Sequence, residues 1–463
     1  MLNLVEKQSL QLSPFVIFKN DPESDEITCY STVTNKIVKL SSEESMHIFN
    51  EILNHSSSYD SENNPIINVL KDYGILTEDK NLQRKNIINK VNSILYSNDT
   101  LEVTILPTDA CNFNCSYCYQ KPPYKIMSEE TESRIIDFFK KNINKYKTVR
   151  INWFGGEPLL QKKQIVRMME SINIICKKNG VPLISRMTTN GYGLDLDTFN
   201  AFIKNRLLFF QITLDGPQRI HDQHRPLKNG DPTFDVILNN LRRISEETQG
   251  KFFQIFLRVN VTPNMIEHMD EFLDMYHQYF GNDKRFVLGF ERVQDWGGKK
   301  IEDLRKHENI FSNTKGDEEF YSLYEKAEKY SLNLNYRLVN DLEPLICLAS
   351  KSNGYVFNHN GDILKCPMAI YSEEKLIRES NKIGEITQTG NLSCNKNKDF
   401  WEGPNQVDKC KGCSIFPICF GLGCPLGISF KGTSPCKEYD HRVEMINKYI
   451  NSTSIKEEEI LVI

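Results

Sequence analysis

Long apolar runs are missing from this 463-residue chain. The densest, Leu207 to Leu214, is interrupted by Gln211 and Thr213 and falls far short of the ~20 residues a membrane-spanning helix needs. The opening residues, MLNLVEKQSLQL, have neither the basic stretch nor the apolar core of a secretory signal. An excess of positive charge is missing too: 57 Lys and Arg stand against 61 Asp and Glu, so nothing marks a general nucleic-acid binder. Histidine is scarce, nine in all, with none between His55 and His221. No internal repeat or low-complexity tract is present. These absences predict a soluble, cytoplasmic protein with no membrane and no nucleic acid among its partners.

Cysteine, in contrast, is plentiful. The thirteen lie at 29, 111, 115, 118, 176, 347, 366, 394, 410, 413, 419, 424 and 436, as one tight triplet, one dense later group and three strays. Disulfide scaffolds of this density belong to short secreted chains, whereas this chain is long and its cysteine count is odd. Metal-sulfur chemistry is the expectation. Cys29, Cys176 and Cys394 read as ordinary thiols, Cys29 on a strand and Cys176 on the apolar face of a helix.

Length alone predicts about three domains. Residues 1–95 open with strand-like stretches at Phe15–Phe18, Ile27–Tyr30 and Lys36–Leu40. Two helical patterns follow, Ser42–Leu53 and Pro65–Tyr73, the second closed by Gly74. This reads as a winged-helix-like domain. Residues 1–90 hold 9 basic and 13 acidic side chains, the wrong sign for neutralising phosphates, so a peptide bound along a strand edge is expected instead.

From 96 to 293, strands at 102–106, 149–154, 183–187, 209–214, 253–261 and 286–290 alternate with helices at 129–144, 163–178, 196–204, 234–246 and 265–279. The fold class is therefore α/β, with a parallel sheet and right-handed crossovers; an open barrel and a doubly wound sheet both fit. Residues 294–340 read as a polar connector. The cysteine-, glycine- and proline-rich 341–440 reads as a small domain organised by metal, and 441–463 as a C-terminal helix and frayed tail.

The triplet Cys111-Asn112-Phe113-Asn114-Cys115-Ser116-Tyr117-Cys118 directly follows the first of those strands. Its thiolates are thus expected at a strand's C-terminal end, where parallel α/β folds keep their active sites. Three cysteines are one short of closing a four-iron cluster and leave one iron free for a ligand. The alternative, a zinc site completed by histidine, has no histidine nearby.

Here the chain resembles the radical S-adenosylmethionine (SAM) superfamily, whose C-x3-C-x-aromatic-C motif is met by Cys111, Cys115, Tyr117 and Cys118. Further elements follow in order at the strand ends. They are Gly155-Gly156-Glu157-Pro158, then Thr188-Thr189-Asn190-Gly191, then Asp215-Gly216-Pro217 with His221, Asp222 and Arg225. Each alone is an ordinary turn, and their order carries the resemblance. The resemblance implies a partial (β/α)6 barrel and a cluster on Cys111, Cys115 and Cys118 as the catalytic centre. It implies SAM contacts from Tyr117, Gly155, Gly156, Glu157, Asn190 and Arg225, with Arg225 beside the SAM carboxylate. The cluster would pass one electron to SAM, releasing methionine and a 5′-deoxyadenosyl radical that takes hydrogen from a substrate.

The later cysteines resemble the SPASM domain, which carries auxiliary iron-sulfur clusters in peptide-modifying radical SAM enzymes. The resemblance assigns Cys410, Cys413, Cys419 and Cys436 to one 4Fe-4S cluster and Cys347, Cys366 and Cys424 to another, making three clusters in all. The four residues Phe420 to Gly423 stand where the family usually has three. Seven thiolates leave one iron open unless Cys394 closes it. A zinc ribbon starting at Cys410 and Cys413 is the alternative.

The acidic N-terminal module resembles the recognition element fused to maturases of ribosomally made peptides (RiPPs). The resemblance therefore implies a RiPP maturase that binds a precursor's leader on residues 1–95. It would install a crosslink, a thioether between Cys sulfur and a carbon as in sactipeptide and ranthipeptide maturases, with flavodoxin or ferredoxin as electron donor. Alternatives are a carbon-carbon or carbon-oxygen crosslink, formylglycine formation in a sulfatase, or a redox-sensing regulator. The sulfatase relatives place an aspartate base after the second cysteine of this domain, and here Pro367 follows Cys366.

Overall fold

The computed structural model describes residues 10–21, 24, 26–54, 64–120, 124–293, 299–307, 310–311, 317–335, 346–372, 374–402, 413–419, 425–426, 439–450 and 460–463. The chain divides into two compact units, one of 1–95, 336–347 and 404–463, the other of 96–335 and 348–403. No helix among the described residues is long and apolar enough to cross a membrane.

In the first unit, β1 (Gln11–Leu12) pairs antiparallel with β5 (Leu76–Thr77). Between them β2 (Val16–Asn20), β3 (Ile27–Ser31) and β4 (Lys36–Leu40) form an antiparallel meander. Ser42 caps the helix Glu43–Leu53 and Asn64 caps Pro65–Asp72, each side chain accepting backbone N–H bonds. A third helix, Lys80–Leu95, escapes sequence reading because only Ile87, Val91 and Leu95 are buried, a stripe one residue wide.

The second unit is built on a ten-stranded sheet. Six strands run parallel in sequence order: β6 (Thr100–Ile105), β7 (Thr148–Trp153), β8 (Leu183–Thr189), β9 (Leu207–Thr213), β10 (Gln254–Val261) and β11 (Phe286–Arg292). Strand order never reverses, as it would in a doubly wound sheet, so the wall is that of an open barrel. This is the partial (β/α)6 fold that the resemblance implied. Beyond β6 the sheet continues through β12 (Gly354–Phe357), parallel to β6, and then antiparallel through β13 (Asp362–Leu364), β14 (Lys382–Ile386) and β15 (Leu392–Cys394).

The cysteine-rich segment expected as one small domain is thus shared between the units. Residues 348–403 join the barrel sheet because β12 satisfies the free edge of β6. Residues 413–419 belong to the first unit, where Ile415, Ile418 and Ile446 pack with Ile17, Tyr30 and Ile37, and Phe416 packs with Phe15, Val91 and Leu95. The final strand β16 (Ile460–Val462) lies parallel to β4, while the tail ending Lys456 to Glu459, expected to fray, lies outside the described residues.

The connector also differs from its polar reading. Helix Lys299–His307 buries Ile301 and Leu304 with Val293, and Tyr117 packs against this group. Helix Asp317–Glu328 is bonded through the Tyr324 hydroxyl to the Phe290 carbonyl at 3.4 Å.

Candidate active site

Most of what converges on the cysteine triplet arrives from the C-terminal ends of parallel strands. Past β6, the Ala110 N–H bonds Thr108 Oγ1 at 3.0 Å, and Thr108 Oγ1 bonds the Lys125 carbonyl at 2.7 Å. The loop then lies along the segment that follows β9. Asn114 N–H donates to the Pro226 carbonyl and Ser116 N–H to the His224 carbonyl, both at 2.9 Å, and Phe113 bridges Leu227. Lys300, on the connector helix, reaches the Cys115 carbonyl at 3.0 Å.

The Gly-Gly turn after β7 packs against the backbone preceding Cys111. A Cβ on Gly155 would stand 2.3 Å from the Thr108 carbonyl oxygen, and one on Gly156 would stand 2.2 Å from that of Ala110. Gly155 has φ +143°. Glycine is required here by the chain's own backbone, independently of any ligand.

Glu157 and Asn190, expected as cofactor contacts, spend their polar atoms on this chain. Glu157 Oε1 accepts from Leu159 N–H at 2.9 Å and from Thr189 Oγ1 at 2.5 Å, and Oε2 accepts from Asn190 N–H at 2.7 Å. Asn190 Nδ2 donates to Asn112 Oδ1 at 2.9 Å, inside the cysteine loop, while its Oδ1 accepts from Tyr192 N–H at 3.0 Å. Burial raises the Glu157 pKa and these bonds oppose the rise. The two residues tie β7, β8 and the cysteine loop together.

The opposite side is held by a fully engaged tyrosine. The Tyr117 hydroxyl donates to Asp215 Oδ2 and accepts from Arg225 Nη1 at 2.6 Å and Asn260 Nδ2 at 3.1 Å. Asp215 Oδ1 accepts from Asn260 N–H at 2.7 Å, and Asp215 N–H donates to His221 Nδ1 at 3.0 Å. Arg225 lies 3.7 Å from Asp215, both buried. Burial works against the charge on Arg225, yet Cys115, Tyr117 and Asp215 raise its pKa well above the usual value. Asn260, at the end of β10, carries no motif; a polar residue closing a parallel strand is the one sequence signal that could have flagged it.

The three thiols lie along this loop. Burial pushes the Cys111 thiol up to about 12, with Glu157, Cys115 and Cys118 adding to the rise. Burial likewise raises Cys115, and Arg225 opposes it. No three His, Cys, Asp or Glu groups among the described residues are drawn around a single point. The donor set nevertheless fits an iron-sulfur cluster: three thiols on one short loop, the number that leaves one iron of a four-iron cluster free. The pocket also fits an anionic group. Nε of Arg225 is buried without a hydrogen-bond partner among the described residues and can receive a carboxylate.

Of the later cysteines, Cys410, Cys424 and Cys436 lie outside the described residues. Cys413 and Cys419 pack against the apolar group around Ile415 and Ile446 in the first unit, to which Cys347 also belongs. In the second unit Cys366 is buried, with its N–H bonded to Asn381 Oδ1 at 2.8 Å, and Cys394 is exposed at the end of β15. Cys29 and Cys176 are buried.

The model of the Radical SAM superfamily matches residues 105–273. Those residues form a radical SAM domain. They include the cysteine loop, the Gly-Gly turn and the Tyr117, Asp215 and Arg225 network. The chain is 25% identical over 349 residues to the cysteine-type anaerobic sulfatase-maturating enzyme of Clostridium novyi, covering 69% of this chain and 87% of that enzyme. It is 23% identical over 355 residues to the serine-type enzyme of Bacteroides thetaiotaomicron, covering 70% and 82%. Among solved structures, anSMEcpe with bound AdoMet and the Cp18Cys peptide superposes with a TM-score of 0.55 at 18% identity, over 76% of this chain and 98% of that one. The radical SAM domain is therefore homologous to that of the anaerobic sulfatase-maturating enzymes, and the two share a fold.

Proposed function

We propose that this protein is a radical SAM maturase that takes hydrogen from one residue of a ribosomally made peptide and closes a thioether between a Cys sulfur and a carbon. The observation that carries the reading is the lock of Tyr117 on Asp215, Arg225 and Asn260, which fixes the cysteine loop beside a buried guanidinium Nε that has no hydrogen-bond partner among the described residues. When bound, SAM and a four-iron cluster supply one-electron cleavage and hydrogen abstraction. Cys111, Cys115 and Cys118 are the proposed cluster ligands. Arg225 is proposed to hold the SAM carboxylate, and the backbone of Gly155 and Gly156 its amino group. Glu157 and Asn190 keep those elements in place.

Closing a thioether removes one hydrogen from carbon and one from sulfur, two electrons in all. One electron leaves with the abstracted hydrogen, and the other needs an acceptor. Auxiliary clusters on Cys347, Cys366, Cys410, Cys413, Cys419, Cys424 and Cys436 are the proposed acceptors, with a flavodoxin or ferredoxin as donor to the first cluster. Residues 1–95 are the proposed leader-binding module, with β2 as the sheet edge on which an extended peptide would add.

A second reading, formylglycine formation, is favoured by the homology to sulfatase-maturating enzymes over 87% of the clostridial enzyme's length. Pro367 after Cys366 counts against it, since proline offers no base. Mass spectrometry of the product separates the two. A thioether joins two residues with loss of two hydrogens, whereas formylglycine leaves an aldehyde that reacts with hydrazides. SAM cleavage to methionine and 5′-deoxyadenosine under dithionite tests what both share, and its absence would sink both.

A further inference from the structure

The cysteine loop holds a cation that no ion pair explains. Helix Lys299–His307 opens with two lysines, and positive charge in a helix's first turn opposes the helix dipole. Lys299 is exposed to water, whereas Lys300 is half-buried. Among the described residues neither acid close by on the helix, Glu302 or Asp303, forms an ion pair with Lys300, and Asp303 is bonded to Lys306 at 2.7 Å. The bond that Lys300 does make runs to a main-chain oxygen, its Nζ donating to the Cys115 carbonyl at 3.0 Å. Lys300 therefore stands where its own helix disfavours it, and its charge is directed at the loop.

The Cys115 carbonyl is a pivot of that loop. It also accepts the Cys118 N–H at 3.4 Å, which closes the turn Cys115-Ser116-Tyr117-Cys118 and so places two of the three proposed cluster ligands. That bond is long for an N–H donor, so the turn depends on its side chains. Tyr117 is tied to Asp215, Arg225 and Asn260, and Ser116 Oγ lies 2.9 Å from His224 Nδ1. The helix is anchored by Ile301 and Leu304, which bury with Val293, and Tyr117 packs against the same group. It thus meets the turn twice, through the Tyr117 ring and through the Cys115 carbonyl. The two cations here differ in one respect. Arg225 stands 3.7 Å from the Asp215 carboxylate, which offsets its charge, whereas Lys300 has no such carboxylate among the described residues. Burial disfavours charge on the Cys115 sulfur, while Arg225 and then Lys300 favour it.

We propose that Lys300 is a positioning residue that holds the Cys115–Cys118 turn and, through a charge no carboxylate offsets, raises the reduction potential of the cluster carried there. The proposal rests on the assignment of Cys111, Cys115 and Cys118 as cluster ligands. Reduction adds one electron to the cluster, and a positive charge close by favours the more negative form. Half-burial keeps that charge from being fully screened by salt. The connector helix thereby sets how readily the centre accepts the electron that its donor, dithionite in the test below, supplies.

The test is an anaerobic dithionite titration of the reconstituted full chain, read by electron paramagnetic resonance. The signal followed is the one that changes when SAM is added, which separates this cluster from any other in the chain. Lys300→Met keeps the length of the side chain and removes both charge and donor, Lys300→Gln keeps a donor without the charge, and Lys300→Arg keeps both. Iron content and SAM binding, measured alongside, report that each variant holds its cluster. Lys300→Met and Lys300→Gln should each lower the equilibrium constant for reducing this cluster about tenfold, which is about 59 mV for a one-electron couple. Lys300→Arg should stay within about twofold of the wild type. An unchanged potential in both neutral variants overturns the proposal, and so does a shift in Lys300→Arg as large as that in Lys300→Met. Loss of iron in the neutral variants, with no shift in the cluster that remains, makes Lys300 a structural support alone and overturns it as well. A wild type with no SAM-responsive signal, or one whose signal persists in Cys115→Ala, refutes the ligand assignment itself and the proposal with it.

Discussion

Arg225 donates from Nη1 to the Tyr117 hydroxyl at 2.6 Å, which places a residue from the segment after β9 on the aromatic ring of the cysteine motif. Tyr117 is thereby more than a core aromatic. Tyr117→Phe keeps the ring but strips Arg225 and Asn260 of an acceptor and Asp215 of a donor. Losing one buried, charge-assisted hydrogen bond costs about 1.5–3 kcal/mol, so SAM affinity should fall ~10-fold or more with the fold intact. Equilibrium binding of SAM to the reconstituted variant, with circular dichroism as control, checks this.

Gly156 makes a sharper demand. A methyl group there meets the Ala110 carbonyl oxygen at 2.2 Å and that of Asp109 at 2.3 Å, both backbone atoms unable to swing aside. Gly156→Ala should displace the loop that begins at Cys111 and reduce iron at this cluster to under about half of wild type, as overpacking moves backbone. Gly180→Ala, at an exposed glycine with open space around it but a left-handed φ of +67°, should cost some local stability yet leave iron unchanged. Both are read by iron and sulfide analysis after anaerobic reconstitution.

His221 predicts a pH dependence. Burial, then the charge of Arg225, lowers its pKa well below the ordinary value. Its Nδ1 accepts the Asp215 N–H and its Nε2 contacts Thr233 Oγ1, so the folded protein holds the neutral ring. Below the ordinary histidine value of about 6.5, the unfolded chain takes up a proton that the folded chain refuses. The contribution is therefore intact above about pH 6.5 and is lost as pH falls from there toward the folded value. Thermal melts from pH 7.5 to 5.5 should show this decline, and His221→Gln, though less stable throughout, should show a flatter one.

Much of this was legible in the sequence, and the exceptions have physical causes. The six barrel strands are apolar runs set between amphipathic helices, so alternation alone located β6 to β11 to within a few residues. The cysteine loop and Gly-Gly turn were legible because their chemistry dictates residue type. Helix Lys80–Leu95 was not, since its buried stripe is too narrow to set a period. Nor was the placement of helix Lys299–His307, whose two buried aliphatics are hidden among charges. Asn260 has no local signature at all. It matters through where the end of β10 brings it, and that follows from strand order.

Metal content bears on the later cysteines. If the auxiliary clusters are present, anaerobically reconstituted protein should hold about 12 irons per chain, from three four-iron clusters, with little zinc. About four irons together with zinc would make the later cysteines a structural staple and remove the proposed acceptor for the second electron.

The most direct test of the account is SAM cleavage by the anaerobically reconstituted chain under dithionite, with and without Cys115→Ala. Cys115 lies in the loop that Lys300 and the Arg225 network fix. The account predicts methionine and 5′-deoxyadenosine from the wild type and neither from the variant. Cleavage undiminished in Cys115→Ala would contradict it.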